Sequence, residues 1–359
     1  MNFLLDQHFQ PHVRGLPVWR KQPKGSSLNL SSNEFVHPAV DAVARDVLAS
    51  LATRTVTAYP FHGTLVDRLA DVVGVPSEHL MVAAGSDDAI KIIADGLFRS
   101  TGRLVLQEPN YELVRQYAAL RGVDVVGVPP GPDRDSQMAD LDAALAGRAP
   151  ASVYVANPNG PLGTCFSLAE MATLADRCRA GGHLLFVDEA YVPYNGFDHT
   201  SLVRGRDNVV LVRSFSKSYG IAGARLAVVA AEPAVIDYLR PWQSANPVSG
   251  MTAAIMAAFL DRADEIAVAR QEIIDTRRWF ADEVVAAIPA WRALPAHANF
   301  VNFVVDTDPR ELAARMLTRR IRVKSMDGLP GLAGCLRLTI ADRARMETVL
   351  AALVACQAG

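Results

Sequence analysis

A lysine at position 217 lies in a segment whose residue types could do covalent chemistry. The segment runs from Ser214 to Arg225 and reads SFSKSYGIAGAR, so Lys217 has small and hydroxylated neighbours. A partly desolvated lysine loses its proton readily, and the free amine attacks carbonyl carbons. Ser214, Ser216 and Arg225 carry donors that hold phosphate dianions. The segment therefore predicts a site for a cofactor with both an aldehyde and a phosphate, such as pyridoxal 5′-phosphate (PLP).

The composition is that of a chain able to bury a large core. Its 359 residues are 50% hydrophobic and 21% charged, and the formal net charge is −2. This length suffices for one large core and a second, smaller one. The near-neutral charge does not favour nucleic acid as a partner, and the longest apolar stretch, Met251–Leu260, is too short to span a bilayer. We therefore expect neither a nucleic-acid nor a membrane partner.

The N-terminus and the cysteines indicate where the protein works. Met1–Asp6 lacks the basic start of a signal peptide, and its apolar run stops at Asp6. The four cysteines show no spacing typical of metal ligands, and we interpret them as small hydrophobic residues. They are Cys165, Cys178, Cys335 and Cys356. We expect a cytoplasmic protein without a metal site.

Short apolar runs alternate with helical patterns from about residue 80 onwards. The runs predict strands at Leu80–Ala84, Arg103–Gln107, Val123–Val128, Ser152–Ala156, Leu184–Val187 and Val209–Arg213. The patterns between them predict helices at Ser86–Phe98, Tyr111–Leu120 and Leu168–Arg179. Continuous apolar strands separated by helices indicate an α/β fold with a mainly parallel sheet covered on both faces. Ligands of such sheets bind beyond the carboxyl ends of the strands, where the segment with Lys217 falls.

The pattern changes after about Trp242. Residues Gly250–Ala287 predict one long helix, and the rest of the chain predicts a smaller α+β unit. Its elements are strands at Asn299–Val305 and Cys335–Ile340 and helices at Pro309–Arg320 and Arg343–Val354. The first 35 residues contain Pro11, Pro17 and Pro23 and read as an extended arm along the small domain or across to a partner subunit. We expect an arm at 1–36, a large cofactor-binding domain at 37–245, and a small domain at 246–359 that includes part of the arm.

Several motifs occur together in the order typical of one enzyme family. The chain resembles the fold-type I PLP-dependent enzymes of the class I/II aminotransferase superfamily, and among them the histidinol-phosphate aminotransferases. The resemblance extends from Leu30–Glu34 to Arg337–Thr339. It implies a large domain with a mostly parallel seven-stranded sheet between helices, and a smaller α+β domain. It also implies a homodimeric aminotransferase that moves an amino group from an amino acid, with glutamate the expected donor, to an oxo substrate.

The resemblance assigns three catalytic residues. Lys217 matches the lysine that forms a Schiff base with PLP and then moves a proton on the substrate. Asp188 ends an apolar strand in the sequence Asp-Glu-Ala-Tyr and matches the carboxylate that pairs with the pyridine nitrogen of the cofactor. Tyr191 matches the phenol that hydrogen-bonds the cofactor's O3′.

The remaining cofactor residues fall around the phosphate and the ring. Backbone N–H groups at the start of a predicted helix favour an anion, and side-chain donors complete the cradle. The cradle residues are Gly85, Ser86 and Asp87 on one side and Ser214, Ser216 and Arg225 on the other. Ser86 is also a good helix N-cap, and it can serve both purposes. Tyr111 resembles the aromatic residue stacked on the pyridine face, and Tyr59 the tyrosine that reaches the phosphate of the neighbouring subunit, so that active sites are shared.

The substrate residues are those that depart most from the family. Arg337 matches the arginine that binds the substrate carboxylate, and Asn33 an asparagine at the substrate mouth. Lys324 stands where an arginine usually helps to bind the substrate phosphate, and Trp19 near a common tyrosine. Because of these changes, the sequence does not identify the substrate.

One departure affects the cofactor. The family motif Asn-Pro-Thr-Gly is here Gly160-Pro161-Leu162-Gly163, and glycine has no donor for O3′. We expect Asn159 or a water to supply the donor, or Tyr191 to act alone. Without that donor, the lysine–cofactor linkage would titrate at a higher pH than in relatives.

Two other functions fit parts of the sequence. The same scaffold carries PLP-dependent decarboxylases, cyclases and eliminases, because the bond held perpendicular to the ring is the one that breaks. A non-catalytic ligand-sensing module is the second alternative, and the presence of Lys217, Asp188 and Arg225 weighs against it.

Overall fold

The structure is a computed structural model that describes residues 8, 10–18, 25–131, 134–147 and 149–357. The strands in chain order are β1 (Leu28–Asn29), β2 (Leu80–Ala83), β3 (Arg103–Gln107), β4 (Asp124–Val128), β5 (Ser152–Ala156), β6 (Leu184–Asp188), β7 (Val209–Ser214), β8 (Ala227–Ala231), β9 (Arg292–Ala293), β10 (Phe300–Val304), β11 (Ile321–Arg322), β12 (Lys324–Ser325) and β13 (Cys335–Thr339). The α-helices are α1 (Pro38–Ser50), α2 (Arg54–Thr57), α3 (Gly63–Val73), α4 (Ser86–Ile93), α5 (Arg99–Thr101), α6 (Glu112–Ala119), α7 (Arg134–Leu145), α8 (Leu168–Ala180), α9 (Phe215–Ser218), α10 (Pro233–Leu239), α11 (Gly250–Asp261), α12 (Ala263–Ala287), α13 (Pro309–Thr318) and α14 (Arg343–Gln357). A π-helical segment, Ala94–Phe98, joins α4 to α5, and 3-10 turns occur at Pro11–Val13, Ser77–His79, Val192–Tyr194, Thr200–Leu202 and Arg240–Trp242.

A seven-stranded sheet forms the larger layer. Its strand order is β2-β8-β7-β6-β5-β3-β4, and all pairs are parallel except those that involve β8. Strands β5 and β7 are buried along their whole length, because helices cover both faces of the sheet and leave no side of a strand in water. The predicted mostly parallel α/β architecture is confirmed.

Two elements differ from the predictions. Strand β8 follows the Arg225 segment directly and runs antiparallel between β2 and β7, whereas the sequence analysis assigned no strand there. The prediction of a single helix at Gly250–Ala287 is wrong. The segment forms two helices, α11 and α12, because the backbone leaves helical geometry at Arg262 between them. Neither glycine nor proline marks this break, which explains why the pattern did not reveal it.

A four-stranded antiparallel sheet, in the order β12-β13-β10-β9, forms the smaller layer. In the N-terminal segment, β1 pairs in parallel with β11 to form a separate two-stranded sheet, and the carbonyl of Leu30 accepts a hydrogen bond from the backbone N–H of Thr339 on β13 at 2.9 Å. Farther upstream, the carbonyl of Pro17 accepts a hydrogen bond from Gln116 Nε2 on α6, at 3.0 Å. The segment therefore contacts elements of both layers.

One continuous hydrophobic cluster links the two layers. It includes Val187 and Leu211 from the large sheet and Phe300, Phe303 and Leu338 from the small one. Within the described part of the chain, no helix has the length and apolar character needed to cross a membrane.

Candidate active site

The carboxyl ends of three neighbouring parallel strands carry the central side chains. Strand β5 leads into Asn157, β6 ends at Asp188, and β7 ends at Ser214, which begins the single turn of α9 that carries Lys217. The backbone N–H of Asn157 donates to the carbonyl of Asp188 at 2.9 Å, so the first two ends are tied together. Sequence reasoning predicted this edge from the strand pattern alone.

Asp188 is a buried carboxylate held by two donors. Tyr154 Oη donates to Oδ2 at 2.9 Å, and the backbone N–H of Ala190 donates to Oδ1 at 3.0 Å. Burial raises the pKa of Asp188 to about 6, against the opposing effect of these two hydrogen bonds. The carboxylate is therefore short of positive charge and suited to a cationic partner.

Lys217 donates from Nζ to the carbonyl oxygen of Ser32 at 2.7 Å. Ser214 Oγ accepts from the backbone N–H of Ser216 at 3.3 Å, which caps the start of α9. Ser214 and Ser216 are both buried. The turn thus presents an amine and two hydroxyl groups within four residues.

The start of α4 forms a crowded anion cradle with Arg225. Gly85 is the N-cap and has a φ of +83°, and a Cβ there would lie 2.4 Å from Arg225 Nη2. Only glycine lets the guanidinium lie so close to the helix start. Arg225 itself has a φ of +57°, an uncommon conformation for a residue with a side chain. The predicted residues Gly85, Ser86 and Arg225 therefore lie together.

Asp87 bridges the cradle and the aromatic residue Tyr111. Its Oδ2 accepts from Arg225 Nη2 at 3.1 Å, and its Oδ1 accepts from Tyr111 Oη at 2.9 Å. Burial and the carboxylate raise the pKa of Tyr111, so its hydroxyl stays a donor. The carboxylate of Asp87 points at these partners, which leaves its backbone N–H as the group that can meet an anion.

Three consecutive residues of the N-terminal segment contact three of the predicted site residues. The carbonyl of Ser31 accepts from Arg337 Nη2 at 3.0 Å, and that of Ser32 accepts from Lys217. Asn33 Nδ2 donates to Tyr191 Oη at 2.8 Å. The segment Ser31–Asn33 therefore brings Lys217, Tyr191 and Arg337 to one place.

Asn33, which the resemblance predicts at the substrate mouth, is held by two protein side chains. It is buried, and its Oδ1 accepts from Thr339 Oγ1 at 3.2 Å while its Nδ2 binds Tyr191. Both ends of the amide thus have protein partners. The backbone of Asn33 has a φ of +54°, which asparagine tolerates better than most residues.

Arg337 is a buried guanidinium whose Nε has no hydrogen-bond partner among the described residues. Its charged end lies 5.1 Å from the centre of the Phe300 ring. Burial lowers the pKa of Arg337, which marks it as a cation that an incoming anion would stabilise. Lys324 is its neighbour across the β12–β13 ladder, and loss of water together with Arg337 lowers the pKa of this more exposed lysine.

The amide of Asn159 is already used within the protein. Its Nδ2 donates to Gln107 Oε1 at 3.1 Å and to the carbonyl of Pro109 at 2.9 Å, and its Oδ1 accepts from the N–H of Leu162 at 2.9 Å. No amide N–H of Asn159 is left to donate to a ligand, so the structure does not support the predicted replacement of the lost donor by this residue. A Cβ at Gly160 would lie 3.8 Å from Tyr191 Oη. The position at which the chain departs from the family motif therefore lies next to the phenol that is predicted to bind O3′.

Two predicted residues remain, and the structure describes one of them. Tyr59 is 90% exposed, on the surface of the chain. Its neighbours Val56 and Phe61 are 68% and 84% exposed, which makes an apolar patch. Trp19 lies outside the described residues.

Sequence reasoning missed a buried network behind Asp188. Glu189 accepts from Arg213 Nε and Nη2 at 3.0 and 2.7 Å, and it lies 2.9 Å from His199 Nδ1. His199 Nε2 lies 2.8 Å from Asn157 Nδ2. Because that nitrogen is an amide donor, the geometry assigns Nε2 of His199 as the acceptor from Asn157 and Nδ1 as the donor to Glu189. In the sequence, only the charged Glu189 next to Asp188 pointed to this network. The hydrogen bond from Tyr154 to Asp188 was also missed, and its only sequence signal was a polar hydroxyl group within an apolar strand.

Comparison with known proteins agrees with this fold. Residues 26–353 match the family Aminotransferase class I and II, so the chain belongs to this family. It is 31% identical to a histidinol-phosphate aminotransferase of Ralstonia nicotianae over 349 residues, which cover 94% of this chain and 91% of that protein. The chain is a PLP-dependent aminotransferase similar to the histidinol-phosphate aminotransferases.

Solved structures share the fold. A histidinol-phosphate aminotransferase from Sinorhizobium meliloti in complex with pyridoxal 5′-phosphate superposes with a TM-score of 0.84 at 24% identity, over 97% of each chain. An L-threonine-O-3-phosphate decarboxylase from Porphyromonas gingivalis gives a TM-score of 0.77 at 19% identity, over 92% of this chain and 100% of that one. The fold alone therefore does not decide which reaction is catalysed.

The site fits PLP by its donor chemistry. A buried carboxylate with a raised pKa suits a protonated ring nitrogen, and the crowded cradle at Gly85 and Arg225 suits a phosphate dianion. A lysine amine at the end of β7 completes the set.

Proposed function

We propose that the chain uses Lys217, Asp188 and Tyr191 to catalyse transfer of an amino group from an amino acid to an oxo substrate such as the ketone that corresponds to histidinol phosphate. The observation that carries this proposal is the set of hydrogen bonds made by the segment Ser31–Asn33. It contacts the amine of Lys217, the phenol of Tyr191 and the guanidinium of Arg337. The proposed cofactor residues Lys217 and Tyr191 and the proposed anion-binding residue Arg337 therefore lie along the same segment.

The cofactor would be held by groups from several elements. Asp188 would hold the proton on the ring nitrogen, and Tyr191 would donate to O3′. The phosphate would bind the first N–H groups of α4, the hydroxyls of Ser214 and Ser216, and Arg225, while Tyr111 covers the ring. When bound, PLP supplies an electrophilic aldehyde and a ring that withdraws electrons from the substrate carbon.

The chain's own residues would then orient the substrate and move the proton. Arg337 binds a carboxylate through its forked donors, which fixes the amino group of the substrate toward Lys217. The neutral amine of Lys217 takes the proton from the substrate carbon and returns it at the other end of the reacting system. The Ser32 carbonyl, 2.7 Å from Nζ, holds the amine in place while it is not covalently bound.

The anionic group of the substrate would also lie near Lys324. This lysine and Arg337 are cross-strand partners, so a phosphate that binds Arg337 can also lie within reach of Lys324 Nζ. The phosphate of histidinol phosphate is its single anionic group, and the relative from Ralstonia nicotianae is named for that compound. A lysine offers a point charge in place of the fork of an arginine, which weakens discrimination for phosphate over other anions.

A homodimer would complete the site. Val56, Tyr59 and Phe61 form an exposed apolar patch, and Tyr59 reaches none of the residues around Lys217 through a described hydrogen bond. Burying this patch against a second copy would bring Tyr59 to the partner's phosphate cradle. We propose that the dimer works in the cytoplasm, where its four buried cysteines serve as packing residues.

A dimer test uses Phe61→Asp, with Val268→Asp, at another highly exposed apolar residue, as the matched control. Sedimentation velocity should show a dimer for the wild type and for V268D, and monomers for F61D. A dimer that survives F61D unchanged contradicts an interface at this patch.

A half-reaction screen tests the function. The purified PLP form is mixed with single amino acids, including glutamate and histidinol phosphate, and absorbance and oxo-product release are followed. We expect conversion to the amine form of the cofactor with glutamate and histidinol phosphate, and conversion slowed by at least about 10³-fold in Lys217→Ala. Release of carbon dioxide or ammonia without the absorbance change would favour a decarboxylase or eliminase instead. Conversion by Lys217→Ala at the wild-type rate would overturn the proposal.

A further inference from the structure

The backbone of the Lys217 turn is held by side chains from outside the turn. Helix α9 is a single turn of four residues, so its last carbonyl groups have no following helical N–H to accept from. Tyr194 Oη donates to the carbonyl of Lys217 at 2.8 Å. Arg270 Nη1, on α12, donates to the carbonyl of Ser218 at 3.1 Å. Two side chains thus replace the missing helix.

Tyr194 is built into the same short turn as Tyr191. The N–H of Tyr194 donates to the carbonyl of Tyr191 at 3.0 Å, which closes the 3-10 turn Val192–Tyr194. The tyrosine ring is 2% exposed and packs edge-on against Phe35, with the ring centres 6.3 Å apart. A rigid three-residue step therefore separates the phenol of Tyr191 from the hydroxyl that binds Lys217.

We propose that Tyr194 is a positioning residue that sets the backbone of Lys217 relative to Tyr191, and that Arg270 supports it from α12. The inference rests on the proposed role of Lys217. Tyr194 touches no reacting atom; it acts through the peptide of Lys217 on one side and through the turn to Tyr191 on the other. The amine of Lys217 and the phenol of Tyr191 would therefore be held at a fixed relative position when they meet the cofactor.

The geometry explains why a tyrosine is needed at this position. A buried carbonyl that loses its donor carries the cost of an unmade hydrogen bond, and the turn relaxes to find another partner. Phenylalanine keeps the ring and its contact with Phe35 but lacks the hydroxyl. Tyr194→Phe therefore removes one hydrogen bond and little else.

Tyr238→Phe is the matched control. Tyr238 Oη also donates to a backbone carbonyl, that of Gly96, at 3.2 Å. It lies on α10, and it is half exposed. Both variants lose a tyrosine-to-carbonyl hydrogen bond, and only Tyr194→Phe loses one that is attached to Lys217.

The experiment measures cofactor affinity and steady-state kinetics in the full-length protein. PLP is titrated into the apoprotein and followed by protein fluorescence, and kcat and KM are measured with glutamate. We expect Tyr194→Phe to weaken PLP binding by about three- to tenfold and to lower kcat by a similar factor, with KM for glutamate within twofold of wild type. Hydrogen exchange of the apoprotein should also show faster exchange of the amides at 219–223. Tyr238→Phe should match the wild type in all three measurements.

Arg270→Gln keeps the inference testable if Tyr194→Phe folds poorly. It should change the same quantities in the same direction by about two- to threefold, because its bond is longer and its carbonyl lies one residue further from Lys217. Affinity, kcat and exchange in Tyr194→Phe that equal those of Tyr238→Phe would overturn the inference. Failure of the proposed function can be told apart from failure of this inference, because it would show as conversion of the cofactor by Lys217→Ala at the wild-type rate.

Discussion

The cofactor half and the substrate half of the site differ in how their charges are neutralised. In the cofactor half, Asp188 accepts from Tyr154 and Ala190, and Arg225 pairs with Asp87. In the substrate half, Arg337 is buried with a single carbonyl partner described for it, and Lys324 stands beside it. The first half is largely assembled by the protein, whereas the second is a pair of cations that an anionic substrate would complete.

The difference teaches which part of the molecule can change without loss of the reaction. The cofactor groups are fixed by contacts among strand ends and helix starts, so a single substitution disturbs several bonds. The substrate groups lie on short strands of the small sheet and on the N-terminal segment, where Lys324 and Trp19 already depart from the family. We therefore expect a change there to alter which substrate is recognised and to leave the cofactor site intact.

Asp188→Asn should have the largest effect and tests the cofactor half. Burial raises the pKa of Asp188 from 3.8 to about 6, so between these pH values the folded apoprotein keeps a proton that the unfolded chain has released. Raising the pH through this window therefore lowers the free energy of unfolding, by up to about 3 kcal/mol. The asparagine variant cannot ionise and should not show this loss.

Two measurements check this prediction. Urea unfolding of the apoproteins from pH 4 to pH 7 should show a smaller decline in the variant, and PLP titration should show binding weaker by about 100-fold, because the ring nitrogen loses its carboxylate. Asp176→Asn is the control, since Arg206 lowers the pKa of that exposed carboxylate and gives a dependence of opposite sign. An identical decline in wild type and Asp188→Asn would break the account of the cofactor half.

Arg337→Gln should have the next largest effect and tests the substrate half. Loss of the charged fork should raise KM for glutamate by about 10- to 100-fold, with PLP affinity within twofold of wild type. Arg343→Gln, at an exposed arginine stacked on Trp279, controls for general loss of a positive charge. A PLP affinity that falls as far as KM rises would show that the two halves are not separable.

Lys324→Arg should have the smallest effect and sharpens the comparison. An arginine offers two parallel donors to a phosphate, so KM for histidinol phosphate should fall by about three- to tenfold. KM for glutamate should stay within twofold, since its carboxylate binds Arg337. Lys324→Gln, which removes the charge, should change KM for histidinol phosphate in the opposite direction. An unchanged KM for histidinol phosphate in both variants would place the substrate phosphate away from Lys324.

Much of the large sheet could be predicted because its strands are uninterrupted apolar runs. The bounds of Arg103–Gln107 and Ser152–Ala156 agree with those predicted, since each run is flanked by polar or turn residues. Strand β8 is also an apolar run, but it follows the Arg225 segment without an intervening helix, so it does not fit the alternation of strands and helices that predicted the others. The break at Arg262 left no sequence signal, because neither glycine nor proline marks it.

The site residues could be named from motifs, but their contacts could not. Asn159 is held by Gln107, which is 52 residues away in the chain, and no local pattern shows that its amide is in use. Ser32 contributes a backbone carbonyl to Lys217, and any residue has one. The roles assigned to the site residues and the domain bounds stay predictions until the variants above are measured.

The segment Ser31–Asn33 has a consequence for protein engineering. It continues from β1, which pairs with β11 next to Lys324, and it also binds Lys217 and Tyr191 of the large sheet. A chimera that takes its small sheet from another aminotransferase would therefore have to take residues 28–33 from the same donor, together with a matching Tyr191. The useful crossover points lie after Val36 and near Gln243, and a single crossover between the two sheets would separate this strand from its partner.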